Sequence, residues 1–168
     1  NYYYEKFDFA RTIYLYDQLI FHGNVSHNNI MIYMHRIGAC YSLLARYSDA
    51  EHQYRAVIET SRVNDVRVAA MLSLAFDFQI RQRLSEAESI LLEAKALNVP
   101  SYDYAINENL ASVYYLRKEF DNARIVYNAL LAKYPEKAAD TRRSMRHLFD
   151  KKIDETVFDA IVDLLKGR

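Results

Sequence analysis

The chain has 168 residues, 22 basic and 22 acidic side chains, no net charge and a single cysteine, so it is long enough to bury an apolar core unaided. Balanced charge provides no overall field to recruit nucleic acid or an anionic membrane, Cys40 alone makes neither an internal disulfide nor a cysteine zinc site, and no apolar run approaches the roughly 18–20 residues that cross a bilayer. Only 3 Gly and 2 Pro leave few tight turns, which together with abundant Ala, Leu, Arg and Glu predicts an all-α, soluble protein; with no signal or transmembrane segment, a cytoplasmic location is expected.

The first predicted helix, 2–20, carries the phrase FDFA from Phe7. The same phrase, an apolar residue, a Ser or Asp, any residue and Ala, returns as YSDA at Tyr47, LSEA at Leu84 and FDNA at Phe120. Its alanines, Ala10, Ala50, Ala87 and Ala123, are separated by 40, 37 and 36 residues, a period that marks stacked helical hairpins. Asp8, Ser48, Ser85 and Asp121 stand two residues before each Ala, where a side-chain oxygen is expected to cap the next helix. Glu51 and Glu88 complete two capping boxes, and Phe7, Tyr47, Leu84 and Phe120 take the place of hydrophobic staples. One turn past each Ala come Tyr14, Tyr54, Leu91 and Tyr127, on the same helical face. Each phrase therefore predicts the corner between two antiparallel helices.

A loop, FHGNVSHNN, follows, with Gly23 and Asn24 expected as left-handed C-cap residues. Beyond it the pattern predicts helices near 29–46, 49–62, 65–82, 86–97, 102–118, 122–134, 137–150 and 155–166, about nine in all. Before three of the corners an apolar–small pair (Ile37–Gly38, Leu74–Ala75, Leu110–Ala111) is followed by an aromatic (Tyr41, Phe78, Tyr114). The small residue permits close approach of two helices, and the aromatic fills the space behind it.

Leu-Gly, then Tyr, then an aromatic-x-x-Ala corner, then another aromatic and a terminal Pro is the order in which this chain resembles the tetratricopeptide repeat. The match covers repeats at 31–62, 68–100 and 104–135, with a partial one at 1–20; the consensus Trp is absent, with Met34, Met71 and Asn107 in its place. The resemblance implies a single domain over 1–168, a right-handed α-solenoid of stacked antiparallel pairs closed by helices at 137–166, acting as a scaffold or adaptor. It also implies that the first helix of each repeat lines a concave groove. The residues left over from packing there are Ile32, His35, Arg36 and Ala39, then Leu72, Phe76 and Gln79, then Glu108, Asn109, Ser112 and Tyr115. Asn109 and Arg36 each match one element of the clamp by which some tetratricopeptide domains grip acidic chaperone tails, but no Lys completes it. The expectation is a protein or helical peptide with apolar anchors, held by burial at about 1.5–3 kcal/mol per covered large side chain.

Five histidines are scattered without a metalloprotease motif, nucleophile elbow or phosphate loop, so an enzyme is not expected, nor a cofactor or metal; His22 and His27 in the loop read as solvated. Cys40 reads as a small buried hydrophobe. The run with Arg142, Arg143, Arg146 and His147 is the one candidate for nucleic acid, and reads as a solvated face near a helix C-terminus. Most of the 15 Tyr and 8 Phe read as core. The last helix sets Val157, Phe158, Ile161, Val162 and Leu165 over more than half its circumference, more than a terminal cap needs. This leaves open a second reading, a sensing or self-association domain of a larger regulator that forms a homodimer through that helix.

Overall fold

The computed structural model describes residues 8–137. Among them the chain forms helices α1 (Phe9–His22), α2 (His27–Leu43), α3 (Tyr47–Thr60), α4 (Asn64–Ile80), α5 (Leu84–Ala96), α6 (Asp103–Leu116) and α7 (Phe120–Lys133), with 3-10 turns at Pro100–Tyr102 and Pro135–Lys137, and no strand. The predicted helix 155–166 and all but Lys137 of 137–150 lie outside the described residues. Two compact units divide within α6, Asn1–Ile106 and Asn107–Arg168.

Three of the four predicted corners, at Tyr47, Leu84 and Phe120, are present, but they are closed from the preceding helix and not from the following one; Phe7, which opens the first, lies outside the described residues. Ala45, Gln82 and Lys118 sit at equivalent places with φ of 57°, 59° and 63°, in the left-handed region. The next amides, of Arg46, Arg83 and Glu119, donate to the carbonyls of Tyr41, Phe78 and Tyr114 at 2.8, 2.8 and 2.9 Å. The left-handed residues themselves donate to Ser42, Gln79 and Tyr115 at 2.9, 3.1 and 2.8 Å. This is the Schellman arrangement, three times over, and glycine usually fills its left-handed place. Replacing Ala45, Gln82 or Lys118 by Gly is expected to relieve the Cβ strain and raise stability by about 0.5–1 kcal/mol each, net of the entropy glycine adds to the unfolded chain. Chemical denaturation of the three variants measures this.

The expected caps are corrected at three of four corners. α3, α5 and α7 begin at Tyr47, Leu84 and Phe120, one residue before Ser48, Ser85 and Asp121, and have no side-chain cap hydrogen bond. The Schellman turn delivers the chain into helix early, so those residues fall inside the first turn. There the residue before each helix reaches forward instead: Arg46 to Asp49 at 2.8 Å, Arg83 to Glu86, and Glu119 to Asn122 at 3.0 Å. Asp8 does cap α1, accepting from the Arg11 amide at 3.0 Å, and Ser26, which was not singled out, caps α2 from the Asn29 amide at 3.3 Å. Asp8→Ala should therefore cost about 1 kcal/mol, whereas Ser48→Ala and Ser85→Ala should move the unfolding midpoint by no more than an ordinary surface change, within about 0.5 kcal/mol. Gly23 is not left-handed either; at φ −82° and ψ 138° it continues as extended chain toward Ser26.

In the unit Asn1–Ile106, α2 packs on α3, α3 on α4, α4 on α5 and α1 on α2, and α2 also touches α4. The corner alanines Ala50 and Ala87 are fully buried, as are Val57, Val68, Leu74, Ala75 and Leu91, while Tyr54 is 1% exposed. Gly38 is where α2 and α3 come closest: a Cβ built on it would lie 2.7 Å from Tyr54 Cε1 and 2.9 Å from Cδ1. In the unit Asn107–Arg168, Leu110, Ala111, Val113, Ala123, Tyr127 and Leu130 are buried, and the Tyr115 and Phe120 rings tilt together with centroids 5.4 Å apart.

Charge reinforces the first two corners. Arg46 lies over the Tyr41 ring at 4.5 Å and Arg83 over Phe78 at 4.3 Å, stacked cations at matching positions. Glu51 on α3 accepts from Arg55 at 2.9 Å on its own helix, from Arg81 at 3.0 Å just past α4, and from Arg83 at 2.8 Å at the next corner. Burial works against the charge on Glu51, but hydrogen bonds from Arg55, Arg83 and Arg81 outweigh it and hold the carboxyl below its ordinary range. One carboxylate thus links two successive hairpins.

The opening segment departs from the repeat pattern. Phe9, Tyr16 and Ile20 pack with Ile13 against Ile37, Cys40 and Tyr41 of α2. Ala10 is exposed and Tyr14 is 60% exposed, although their equivalents Ala50 and Tyr54 are core. α1 thus turns inward the ridge of Phe9, Ile13, Tyr16 and Ile20.

Candidate functional site

Two hydrogen bonds between α2 and α4 help fix their register. His35 Nε2 lies 3.0 Å from Ser73 Oγ, and Ser42 Oγ donates to Asp77 Oδ1. Ala39 lies between His35 and Ser42 on α2, and Phe76 lies between Ser73 and Asp77 on α4, so each is next to the residues that join the two helices. One turn further on come Leu43 and Ile80. Phe76 is 56% exposed, Leu43 58% and Ile80 47%, which makes an apolar strip spanning two helices. Isolated exposed apolar side chains are ordinary, whereas contiguous apolar patches of several hundred Å² accompany interaction sites.

The sequence-predicted lining divides. Phe76 and Arg36 are exposed and Ile32, Ala39 and Leu72 half-buried, all on α2 or α4. His35 is turned toward Ser73 and tilts against the Tyr54 ring at 5.7 Å, and burial followed by the neighbouring Arg36 charge pushes its imidazole below the ordinary histidine range. It helps hold α2 to α4. Gln79 is buried, as are Ser112 and Tyr115 on α6, whereas Glu108 and Asn109 are half-buried there. Leu43 and Ile80 were not in the predicted lining. The signal was available, since each follows a predicted residue, Ala39 or Phe76, by four and so lies on the same helical face.

Beneath the strip lies an uncommon group. Asp77 is 1% exposed, and its Oδ2 has no hydrogen-bond partner among the described residues. Burial raises its carboxyl above the usual range, against the Ser42 hydrogen bond and the Arg81 charge, with Glu51 adding to the rise. Burial likewise raises the Tyr54 phenol, with the Asp77 charge adding to it. Among the described residues, no three His, Cys, Asp or Glu side chains gather where a metal ion would bind.

No helix among the described residues is long and apolar enough to cross a membrane. The predicted self-association set, Val157, Phe158, Ile161, Val162 and Leu165, and the basic run from Arg142 to His147 lie outside the described residues. No protein-family model matches the chain, and no curated protein matches it either.

Proposed function

We propose that this protein is a non-catalytic recognition module of the tetratricopeptide kind, a solenoid of helical hairpins that captures a protein segment on the face formed by α2 and α4. The exposed strip of Phe76, Ile80 and Leu43 beside Ala39 carries the reading. Supporting it are the three corners of identical hydrogen-bond pattern and the arrangement of successive hairpins α2–α3 and α4–α5. The segment that fits is amphipathic, with large apolar anchors that cover Phe76 and Ile80.

Burying an exposed Phe is worth about 1.5–3 kcal/mol, so Phe76→Ala should weaken the captured segment about 10-fold or more. Because Phe76 is largely in solvent, the same change should leave stability within about 0.5 kcal/mol. The experiment is affinity capture from native extract with the chain and with Phe76→Asp, followed by fluorescence anisotropy of the retained segment against both. Retention that does not depend on residue 76 would remove the strip from the mechanism.

A further inference from the structure

A cavity of about 240 Å³ opens between α1 and α2, lined by Phe9, Thr12, Tyr16, Arg36, Ala39 and Cys40, and adjoins that strip only at Ala39. We infer that it binds a small carboxylic acid with an apolar body the size of one aromatic ring. An apolar cavity of roughly 150 Å³ is enough to take benzene, so this one holds a ring with a short acid-bearing arm.

The body is recognised by Phe9, Ala39 and Cys40. Cys40 is 7% exposed, and burial pushes its thiol up, so it meets the ligand as a neutral wall. The acid is recognised by Arg36. Its Nη1 donates to Tyr16 Oη at 3.1 Å, and among the described residues no carboxylate pairs with it. A guanidinium has five donors in a planar fork matched to a carboxylate. Tyr16 Oη, which accepts from Arg36, retains its own hydrogen for the second carboxylate oxygen. Thr12 already donates to the Asp8 carbonyl at 3.0 Å and contributes no donor. One cation among six lining residues, with the remainder of the wall mostly apolar, suits a monoanion and not a dianionic phosphate.

The site goes beyond the capture of a segment and is tested apart from it. The probe is 3-phenylpropionate titrated into the full chain by calorimetry, with its uncharged amide as the comparison, while the labelling rate of Cys40, the only thiol in the chain, reports on the cavity. The acid is expected to bind one to one and slow Cys40 labelling, and the amide to bind about 10-fold more weakly or worse, as loss of a charge-assisted contact requires. Arg36→Met keeps the apolar stem, removes the charge and should lower affinity to a similar degree. Ala39→Leu, which fills the cavity, should abolish binding, and Phe76→Ala should leave it unchanged. Slow Cys40 labelling without ligand shows that each variant is folded. Absence of heat and of protection in the wild-type chain overturns the assignment. So does equal binding of acid and amide, a comparison that needs no variant, or an affinity unchanged in folded Arg36→Met.

Discussion

Adding one methyl group at Gly38 is expected to destabilise the protein by about 1–3 kcal/mol, although Gly to Ala inside a helix ordinarily gains about 0.5–1 kcal/mol. The new Cβ would stand 2.7 Å from the Tyr54 ring, which is 1% exposed. Either the ring leaves its rotamer or α2 lifts from α3, and both lose packing. The sign should reverse once the ring is gone. In a Tyr54→Leu background, Gly38→Ala recreates the second hairpin's own pairing of Ala75 with Leu91, and the methyl should then be neutral or favourable. The third hairpin combines Ala111 with Tyr127, so the penalty at Gly38 rests on the close approach of this particular helix pair and not on residue identity alone. Urea unfolding of both single variants and the double one measures the coupling, expected above about 1 kcal/mol. Additive effects would mean that Gly38 is not where α2 and α3 are pinned.

Asp77→Asn is expected to stabilise the protein at neutral pH by about 1–3 kcal/mol, the scale of a buried charged group with an unpaired atom. Asparagine has the shape of the protonated acid, keeps an acceptor for Ser42, and removes a charge that burial opposes. The pH dependence has a definite sign. A carboxyl raised in the folded state binds its proton more tightly there than in the unfolded chain, so its contribution is fully present below the unfolded value, near 3.8, and is lost as pH rises through the folded one. Glu51 does the opposite: its carboxyl is lowered on folding, so its contribution is present above the unfolded value and lost as pH falls through the folded one. The difference in unfolding free energy between Asp77→Asn and wild type should accordingly be small near pH 3 and grow toward neutrality. A gap that stays constant across that range would place the charge somewhere other than residue 77.

The period of the alanines was legible because a hairpin corner demands a small residue where two helix axes converge, and Ala50, Ala87 and Ala123 all became core. How the corner closes was not legible. Ser48, Ser85 and Asp121 look like caps, but the chain enters each helix from a left-handed Ala, Gln or Lys, residues with no composition signal for φ above zero. Local pattern therefore located these turns but set the caps two residues late, at Ser48, Ser85 and Asp121 where Arg46, Arg83 and Glu119 hold the cap positions. α1 shows a different limit. It carries two apolar ridges, and which one turns inward depends on whether a helix covers Ala10 and Tyr14, a fact of tertiary context. At the candidate site, Phe76 and Arg36 were legible as residues left over from packing. Gln79, Ser112 and Tyr115 were assigned by the same arithmetic, yet they are buried. Helical phase assigns a face, and the burial of that face depends on how closely the neighbouring element approaches.

The central claim is that the strip shared by α2 and α4 is where a protein segment is held. Methyl-resolved NMR of the full chain, titrated with the segment that capture identifies, tests it directly. Signals of Leu43, Leu72 and Ile80 should shift with saturation, while Leu19 on α1 and Ile125 on α7, which are 45% and 63% exposed, should stay in place. Shifts confined to α1 or α7 with Leu43 and Ile80 unmoved would contradict the account.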